Sequence, residues 1–357
     1  MGCIMKFGII GLPQTGKHTF FQLLTGAEPA RHELKPGEAV KGIAHVRDPR
    51  FDVLCKMYEP HKQKPAEIEF NLFPALRIDQ QGQNQWLAKI REMDAICYIV
   101  RSFQDPAIFH AAASVDPLRD VQSFALELLI TDLDLAEKRA DKLERELKRT
   151  RDSQQAKELE TLRRCIAVLE EEKPLSTIEF SPEEAKRISG FRFLSLKPLL
   201  IVINGDEQGE PNGLTEAVSH PGQVETVFLN ALEELEISQL ESEEERHEFL
   251  ETLGLTEPAI DRLSRQAFHL LGLVSFFTVG KDEVRAWPIR KGTLAPQAAG
   301  EIHSDIERGF IRAEVVAYDH LIEAGSEQKA KEAGFTSLKG KDYTVADGDV
   351  IHFRFSV

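Results

Sequence analysis

The chain opens on an apolar run, Phe7-Gly8-Ile9-Ile10, that gives way at Gly11 to Leu12-Pro13-Gln14-Thr15-Gly16, after which Phe20, Phe21, Leu23 and Leu24 follow a helical period. This order predicts a buried strand, a short loop bounded by glycines and a helix starting at Lys17. Similar patterns return downstream. Residues 66–73 alternate like a half-buried strand, Ala95–Val100 and Leu199–Ile203 are continuous apolar runs suited to central parallel strands, and Val224–Leu229 reads as one more. Helical stretches separate them, which predicts an α/β domain with a doubly wound, mainly parallel sheet. Residues 25–46 read as a long exposed loop ending in an edge strand at 42–46, and 79–85 as a polar turn before a short helix through Trp86 to Arg91.

Between about Leu126 and Glu172 the pattern changes. Leu129, Leu133, Ala136, Ala140, Leu143 and Leu147 alternate four- and three-residue spacings, and Leu159, Leu162, Ile166 and Leu169 resume them after the polar break at Arg151-Asp152-Ser153. Each stripe is too narrow to support a lone helix, so the two arms are expected to bury their seams against each other, as a coiled-coil hairpin inserted into the α/β domain. Beyond it, Glu241–Glu251 reads as an acidic helix, and Thr256-Glu257-Pro258 is expected to cap a helix with Ile260, Leu263, Phe268 and Leu271 on its apolar side. Strand-like 274–279 and 283–289 flank a turn at Gly280-Lys281-Asp282, a helix is expected around 302–309, and 350–355 forms a last strand, which together predict a separate small α+β unit. The resulting division is an α/β domain of 1–125 and 197–272, the insertion 126–196, and the C-terminal unit 273–357.

Charge adds one distinction. Lys+Arg 44 against Asp+Glu 59 leaves a net charge of −15, which argues against a surface that binds nucleic acid everywhere. Yet Lys138, Arg139, Lys142, Arg145, Lys148, Arg149 and Arg151 gather toward the hairpin tip. Two readings stand: a solvated helical face with alternating Glu and Lys, or a contact with RNA or a ribosomal surface, for which Lys148, Arg149 and Arg151 are the candidates. There is no run of 18 apolar residues that would span a membrane, and Cys3, Cys55, Cys97 and Cys165 lie too far apart to form a CxxC pair. These features point to the cytoplasm and to no membrane partner.

The candidate chemistry is concentrated in Gly11 to Thr19. A strand, a glycine-bounded loop and a helix starting at a lysine are the context of a phosphate-binding P-loop. In the stretch Gly11, Leu12, Pro13, Gln14, Thr15, Gly16, Lys17, His18 and Thr19, backbone N–H groups and the positive end of the helix would hold phosphate oxygens, the glycines permit close approach, and Lys17 reaches the outer phosphates. The full pattern has Ser or Thr directly after the lysine to hold Mg²⁺. Here His18 occupies that metal position and Thr19 follows.

The segments GLPQTGKHT at 11–19 and Asp48-Pro49-Arg50-Phe51-Asp52, the helical insertion, and the C-terminal runs Glu283-Val284-Arg285-Ala286-Trp287, Ala295-Pro296-Gln297-Ala298-Ala299-Gly300 and Gly309-Phe310-Ile311-Arg312-Ala313 together resemble the YchF/Obg-like ATPase family of P-loop NTPases. The resemblance covers essentially the whole chain. It implies a nucleotide-binding G domain, a coiled-coil insertion and a C-terminal TGS-like β-grasp domain, with ATP or GTP binding, ATP hydrolysis and attachment to ribosomes, the coiled-coil tip and the TGS-like domain being the candidate contacts. It also implies that Asn204 and Glu207, in Asn204-Gly205-Asp206-Glu207 at a strand end, contact the base together with Asn230 and Ala231 on a second loop. His110 matches a family histidine that positions the attacking water; the alternative is a histidine satisfied within a helix start.

Three departures from the family pattern bear on hydrolysis. His18 replaces the Mg²⁺-binding Ser, Pro36 falls near the Thr that senses the γ-phosphate, and Leu72-Phe73-Pro74-Ala75 stands where the family has Asp-x-x-Gly. These changes spare the phosphate grip and strip metal and γ-phosphate contacts, so Mg²⁺ itself is in question and weak or impaired hydrolysis is the favoured reading. Two others stay open: an active ATPase or GTPase using Lys17, Thr19 and His110, and a scaffold that has lost nucleotide binding.

Overall fold

The computed structural model describes residues 5–29, 38–76, 89–149, 152–205, 223–240, 242–252 and 257–356. Expectations that fall on Pro36, the turn 79–85, most of the helix 86–91, Arg151, Asp206, Glu207 and Thr256 lie outside the described residues. The chain divides into two units. One comprises Lys6–Lys41 and Phe70–Phe249, the other Met1–Met5, Gly42–Glu69 and Leu250–Val357.

In chain order the strands up to residue 229 are β1 (Lys6–Gly11), β2 (Val40–Val46), β3 (Lys62–Lys64), β4 (Ala66–Leu72), β5 (Ala95–Arg101), β6 (Leu199–Asn204) and β7 (Val224–Leu229). The helices among them and just after are α1 (Lys17–Thr25), α2 (Pro49–Tyr58), α3 (Pro117–Leu147), α4 (Ser153–Glu170), α5 (Pro182–Ile188), α6 (Ala231–Ser238) and α7 (Glu243–Thr252). Then come α8 (Ala259–Leu270), β8 (Leu273–Thr278), β9 (Glu283–Arg290), α9 (Ala295–Ile302), α10 (Ser304–Arg308), β10 (Phe310–Ala317), α11 (Tyr318–Ala324), α12 (Glu327–Glu332), β11 (Ser337–Lys339) and β12 (Asp349–Phe355).

The first unit holds the doubly wound sheet, in the order β2-β4-β1-β5-β6-β7, with β2 and β4 running across the division. β1 pairs with β5, β5 with β6 and β6 with β7, all in parallel. Parallel strands covered on both faces must be apolar throughout, and β5 and β6 are buried along their whole length. Tyr98 on β5 stacks on Phe124 of α3 with ring centroids 4.0 Å apart, and Ile10, Ile96, Val100 and Ile201 belong to the same core.

α3, 31 residues long, serves two cores. Asp116 caps it by accepting from Arg119 N at 3.0 Å, with Pro117 in the first turn. Val121, Phe124 and Leu128 belong to the core of the sheet, whereas Leu129, Ala136, Ala140 and Leu143 join Leu159, Leu162, Cys165 and Leu169 of α4. The seam read from the sequence closes as a helical hairpin, with Leu133 and Leu147 partly buried at its margin. One buried charge anchors its root. Asp132 is fully buried and accepts from Leu194 N (3.0 Å), Ser195 N (2.8 Å), Ser195 Oγ (2.8 Å) and Arg91 Nη1 (2.9 Å).

The second unit is built on a mixed sheet in the order β11-β10-β12-β8-β9-β3. β8 and β9 form the expected antiparallel hairpin, β12 joins β8 in parallel and pairs antiparallel with β10. Ala295, Ala298 and Ala299 of α9 share a core with Phe276, Trp287 and Phe353. Two helix expectations need correction. The helix read at 302–309 is two: α9 already starts at Ala295, where Pro296 suits the first turn, and His303, with an extended φ of −165°, ends it and caps α10 by accepting from Asp305 N at 3.1 Å. α8 begins only after Pro258, which holds an extended cap conformation, and it buries Ala259, Leu263, Ala267 and Leu270 while Ile260 and Phe268 are half-buried. Among the described residues no helix is long and apolar enough to cross a membrane.

Candidate functional site

The loop between β1 and α1 is shaped by two residues with left-handed backbone, Gln14 (φ 61°) and Gly16 (φ 85°). At Gly16 a Cβ would meet Asn204 Nδ2 at 2.2 Å, and at Gly11 it would meet Ile99 O at 2.7 Å, so glycine is required at both by close approach. Leu12 and Thr15 are buried, and Thr15 Oγ1 donates to Leu12 O at 3.2 Å. Gln14 is exposed, and Pro13 and Thr19 are half-buried.

α1 starts at Lys17 with no side-chain cap and no acidic residue in its first turn. Its N-terminal N–H groups and partial positive charge are therefore available to an anion. Lys17 is 3% exposed, its Nζ makes no hydrogen bond among the described residues, and burial lowers its pKa to about 7. An orphaned ammonium beside an uncapped helix start fits a phosphate group. His18 follows on the same turn; partial burial and then the neighbouring Lys17 charge push its pKa below the ordinary histidine value.

Asn204 ties the surrounding loops together. Its Nδ2 donates to Thr15 O at 3.0 Å, its Oδ1 accepts from Ala231 N at 2.9 Å, and its main-chain carbonyl accepts from Ser102 N at 2.7 Å and Phe103 N at 3.3 Å. The phosphate loop, the end of β5, the end of β6 and the start of α6 thus meet on one residue. Asn230 caps α6 by accepting from Leu232 N (3.1 Å) and Glu233 N (3.3 Å). Of the four residues expected to contact the base, the structure brings Asn204 and Ala231 together and gives Asn230 a capping contact; Glu207 lies outside the described residues.

His110 does not stand in a helix start, because α3 begins only at Pro117, after the Asp116 cap. It lies in the segment between β5 and α3 and is 5% exposed. Nδ1 accepts from Ala112 N at 3.2 Å, which places the proton of the neutral ring on Nε2, and Nε2 is 3.1 Å from Asp120 Oδ2. The other Asp120 oxygen accepts from Arg119 Nε (3.0 Å) and Nη2 (2.8 Å). Nδ1 is thus engaged within the loop, whereas Nε2 stands close to Asp120 of α3 without a hydrogen bond among the described residues. Sequence reading missed Asp120 and Arg101; the only local signal was a charged residue closing an otherwise apolar strand.

Among the described residues, neither His18 nor residues 72–76 supply a side-chain oxygen for Mg²⁺. Leu72 and Phe73 are buried, and the backbone runs on beside β1, with Phe73 N donating to Ile9 O and Leu76 N to Gly11 O, both at 3.0 Å. Pro74, Ala75 and Leu76 carry no oxygen donor into this position, and His18 offers nitrogen to an ion that prefers oxygen. Among the described residues no cluster of His, Cys, Asp or Glu could hold a metal ion.

Along the hairpin, several basic residues are held in ion pairs. Lys138 pairs with Asp134, Lys142 with Glu146, Arg139 with Glu158 across the seam, and Arg163 with Glu144. Lys148 and Arg149 at the tip are exposed, and neither has an acidic partner among the described residues. Arg151 lies outside them.

Residues 273–356 match the family model YchF-GTPase_C, described as a protein of unknown function (DUF933). The chain is 41% identical to the ribosome-binding ATPase YchF of Bacillus subtilis over 98% of its own length and 99% of that protein. It is 39% identical to the protein of the same name from Haemophilus influenzae, covering 99% of each, and 36% identical to Obg-like ATPase 1 of Oryza sativa, covering 99% of this chain and 92% of that one. The structure of the Schizosaccharomyces pombe YchF GTPase matches it with a TM-score of 0.85 at 30% identity, over 99% of this chain and 98% of that one.

Proposed function

The chain belongs to the YchF family, and from that premise we propose that it is a cytoplasmic protein that binds a nucleoside triphosphate, ATP or GTP, at Gly11 to Thr19 and associates with ribosomes. The observation that carries the proposal is Lys17 Nζ, buried without a partner beside the uncapped start of α1. Phosphate oxygens would accept here: loop and first-turn N–H groups donate to them, and the Lys17 ammonium neutralises their charge. Asn204 holds the phosphate loop and the start of α6 in register, so that Asn204, Ala231 and Asn230 are placed to frame the base; Glu207 is the fourth base contact that family resemblance implies. Bound phosphate restores a charged Lys17, so binding above about pH 7 takes up a proton.

Hydrolysis in this reading is slow. The side chains supply no oxygen ligand for Mg²⁺ at His18 or at residues 72–76, and His110 is left to position the attacking water in the turnover that remains. Lys148 and Arg149, which have no acidic partner among the described residues, form with Arg151 the contact with ribosomal RNA at the hairpin tip, and the C-terminal unit supplies a second contact. The working division remains 1–125 with 197–272 for nucleotide, 126–196 for the hairpin, and 273–357 for the TGS-like domain. The test is a titration of the full-length chain with ATP and GTP, with and without Mg²⁺, alongside turnover. Saturable binding lost in Lys17→Ala with slow turnover supports the reading, and turnover as fast as in the Bacillus subtilis relative removes the impaired-hydrolysis part.

A further inference from the structure

Arg101 closes β5, is 1% exposed, and is the bulkiest fully buried side chain among the described residues. No carboxylate pairs with it among those residues. A buried cation is costly unless hydrogen bonds satisfy it, and all of the guanidinium's bonds go to carbonyls of the loop that follows it. Nε donates to Phe103 O at 3.1 Å, Nη1 to Ile108 O at 3.1 Å and Nη2 to Asp105 O at 3.2 Å, while Cζ lies 4.4 Å from the centre of the Phe103 ring. A Leu or Met would close an apolar strand at no such cost. The charge is spent on the shape of residues 102–108.

That loop joins two parts of the candidate site. At its root, Ser102 N and Phe103 N donate to the carbonyl of Asn204, whose side chain holds Thr15 of the phosphate loop. At its far end Phe109 is 73% exposed and His110 is buried, with Nε2 against Asp120. We propose that Arg101 is a positioning residue: by moulding residues 102–108 it fixes the His110 ring against Asp120, and its loss impairs turnover without impairing nucleotide binding. The turnover arm rests on the function proposed above. The loop arm does not.

The experiment compares Arg101→Met, which keeps length and removes the charge, with Arg101→Lys, which keeps the charge and loses the planar fork, in the full-length chain. Nitrogen NMR of the imidazoles, assigned with His110→Gln, is expected to show His110 held as the Nε2–H tautomer in the parent and averaged in Arg101→Met. Hydrogen exchange at residues 102–113 should accelerate at least tenfold, with Arg101→Lys intermediate. ATP affinity should change less than threefold while turnover falls at least tenfold, and in a His110→Ala background the same substitution should cost no further turnover, because both act through one group. An unchanged tautomer and unchanged exchange overturn the proposal, as does affinity falling in step with turnover, or a loss that adds fully to that of His110→Ala. A parent chain without any turnover removes the hydrolysis reading, and Arg101 is then judged on tautomer and exchange alone.

Discussion

Replacing Lys17 by Met should make the ligand-free protein more stable while removing its affinity for nucleotide. Burial lowers the Lys17 pKa to about 7 from 10.5, with no partner at Nζ to offset the lost hydration. In the unfolded chain the amine keeps its ordinary value. Between about pH 7 and 10.5 the unfolded chain therefore holds this proton more tightly than the folded one, so stability rises with pH across that window and is level below it. The interval corresponds to roughly 4 kcal/mol at pH 7, an order-of-magnitude cost of the unpaired charge. Lys17→Met keeps the apolar stem and removes that cost, so it should gain about 2–4 kcal/mol at pH 7. The assay is urea unfolding of parent and variant at pH 7 and pH ~9.5, where the parent should recover by up to about 1.4 kcal/mol per pH unit relative to the variant. Groups that do not sense the Lys17 charge cancel in the difference, and His18, which does, is held below its ordinary value and so below this pH window. A variant no more stable at pH 7, or a difference that fails to shrink as pH rises, refutes the reasoning.

Asp132→Ala leaves the half-buried Arg91 and the N–H groups of Leu194 and Ser195 without their acceptor, and should cost about 3–5 kcal/mol in urea unfolding; a loss under about 1 kcal/mol contradicts the assigned role. His18→Ser restores a hydroxyl after the lysine and should raise the Mg²⁺ dependence of ATP affinity, measured by titration at several Mg²⁺ concentrations; an unchanged dependence places the deficit at residues 72–76 alone. Lys148→Glu with Arg149→Glu should weaken cosedimentation with ribosomes, most clearly at low salt, and unchanged cosedimentation removes the hairpin tip from the contact.

Much of the fold was legible because its signals are local. Residues 95–100 and 199–203 are apolar enough to be central strands wherever they fall, and the spacing from Leu129 to Leu169 needs only a partner arm to become a hairpin. α9 was not legible, since Ala295, Ala298 and Ala299 pack closely through small side chains and give no bulky apolar period. Asp132 was hidden for a different reason: its oxygens are satisfied by Arg91, far before it, and by Leu194 and Ser195, far after it, and nothing beside it in sequence announces them. The candidate site divides in the same way. Gly11, Gly16 and Lys17 declare a phosphate loop by their spacing, whereas the joint at Asn204 is made by residues as far apart as Thr15 and Ala231. The placement of His110 depends on Asp120, Ala112 and the cap at Asp116, of which only the Asp116-Pro117 pair is readable as a helix start.

The central claim is that this loop grips phosphate through Lys17. Equilibrium titration of the full-length chain and Lys17→Ala with ATP and GTP tests it most directly. The account predicts saturable binding to the parent and a loss of about 100-fold or more in the variant, the scale of a buried charge-assisted contact. Equal affinity of the two proteins, or no saturable binding to the parent with either nucleotide, would contradict it.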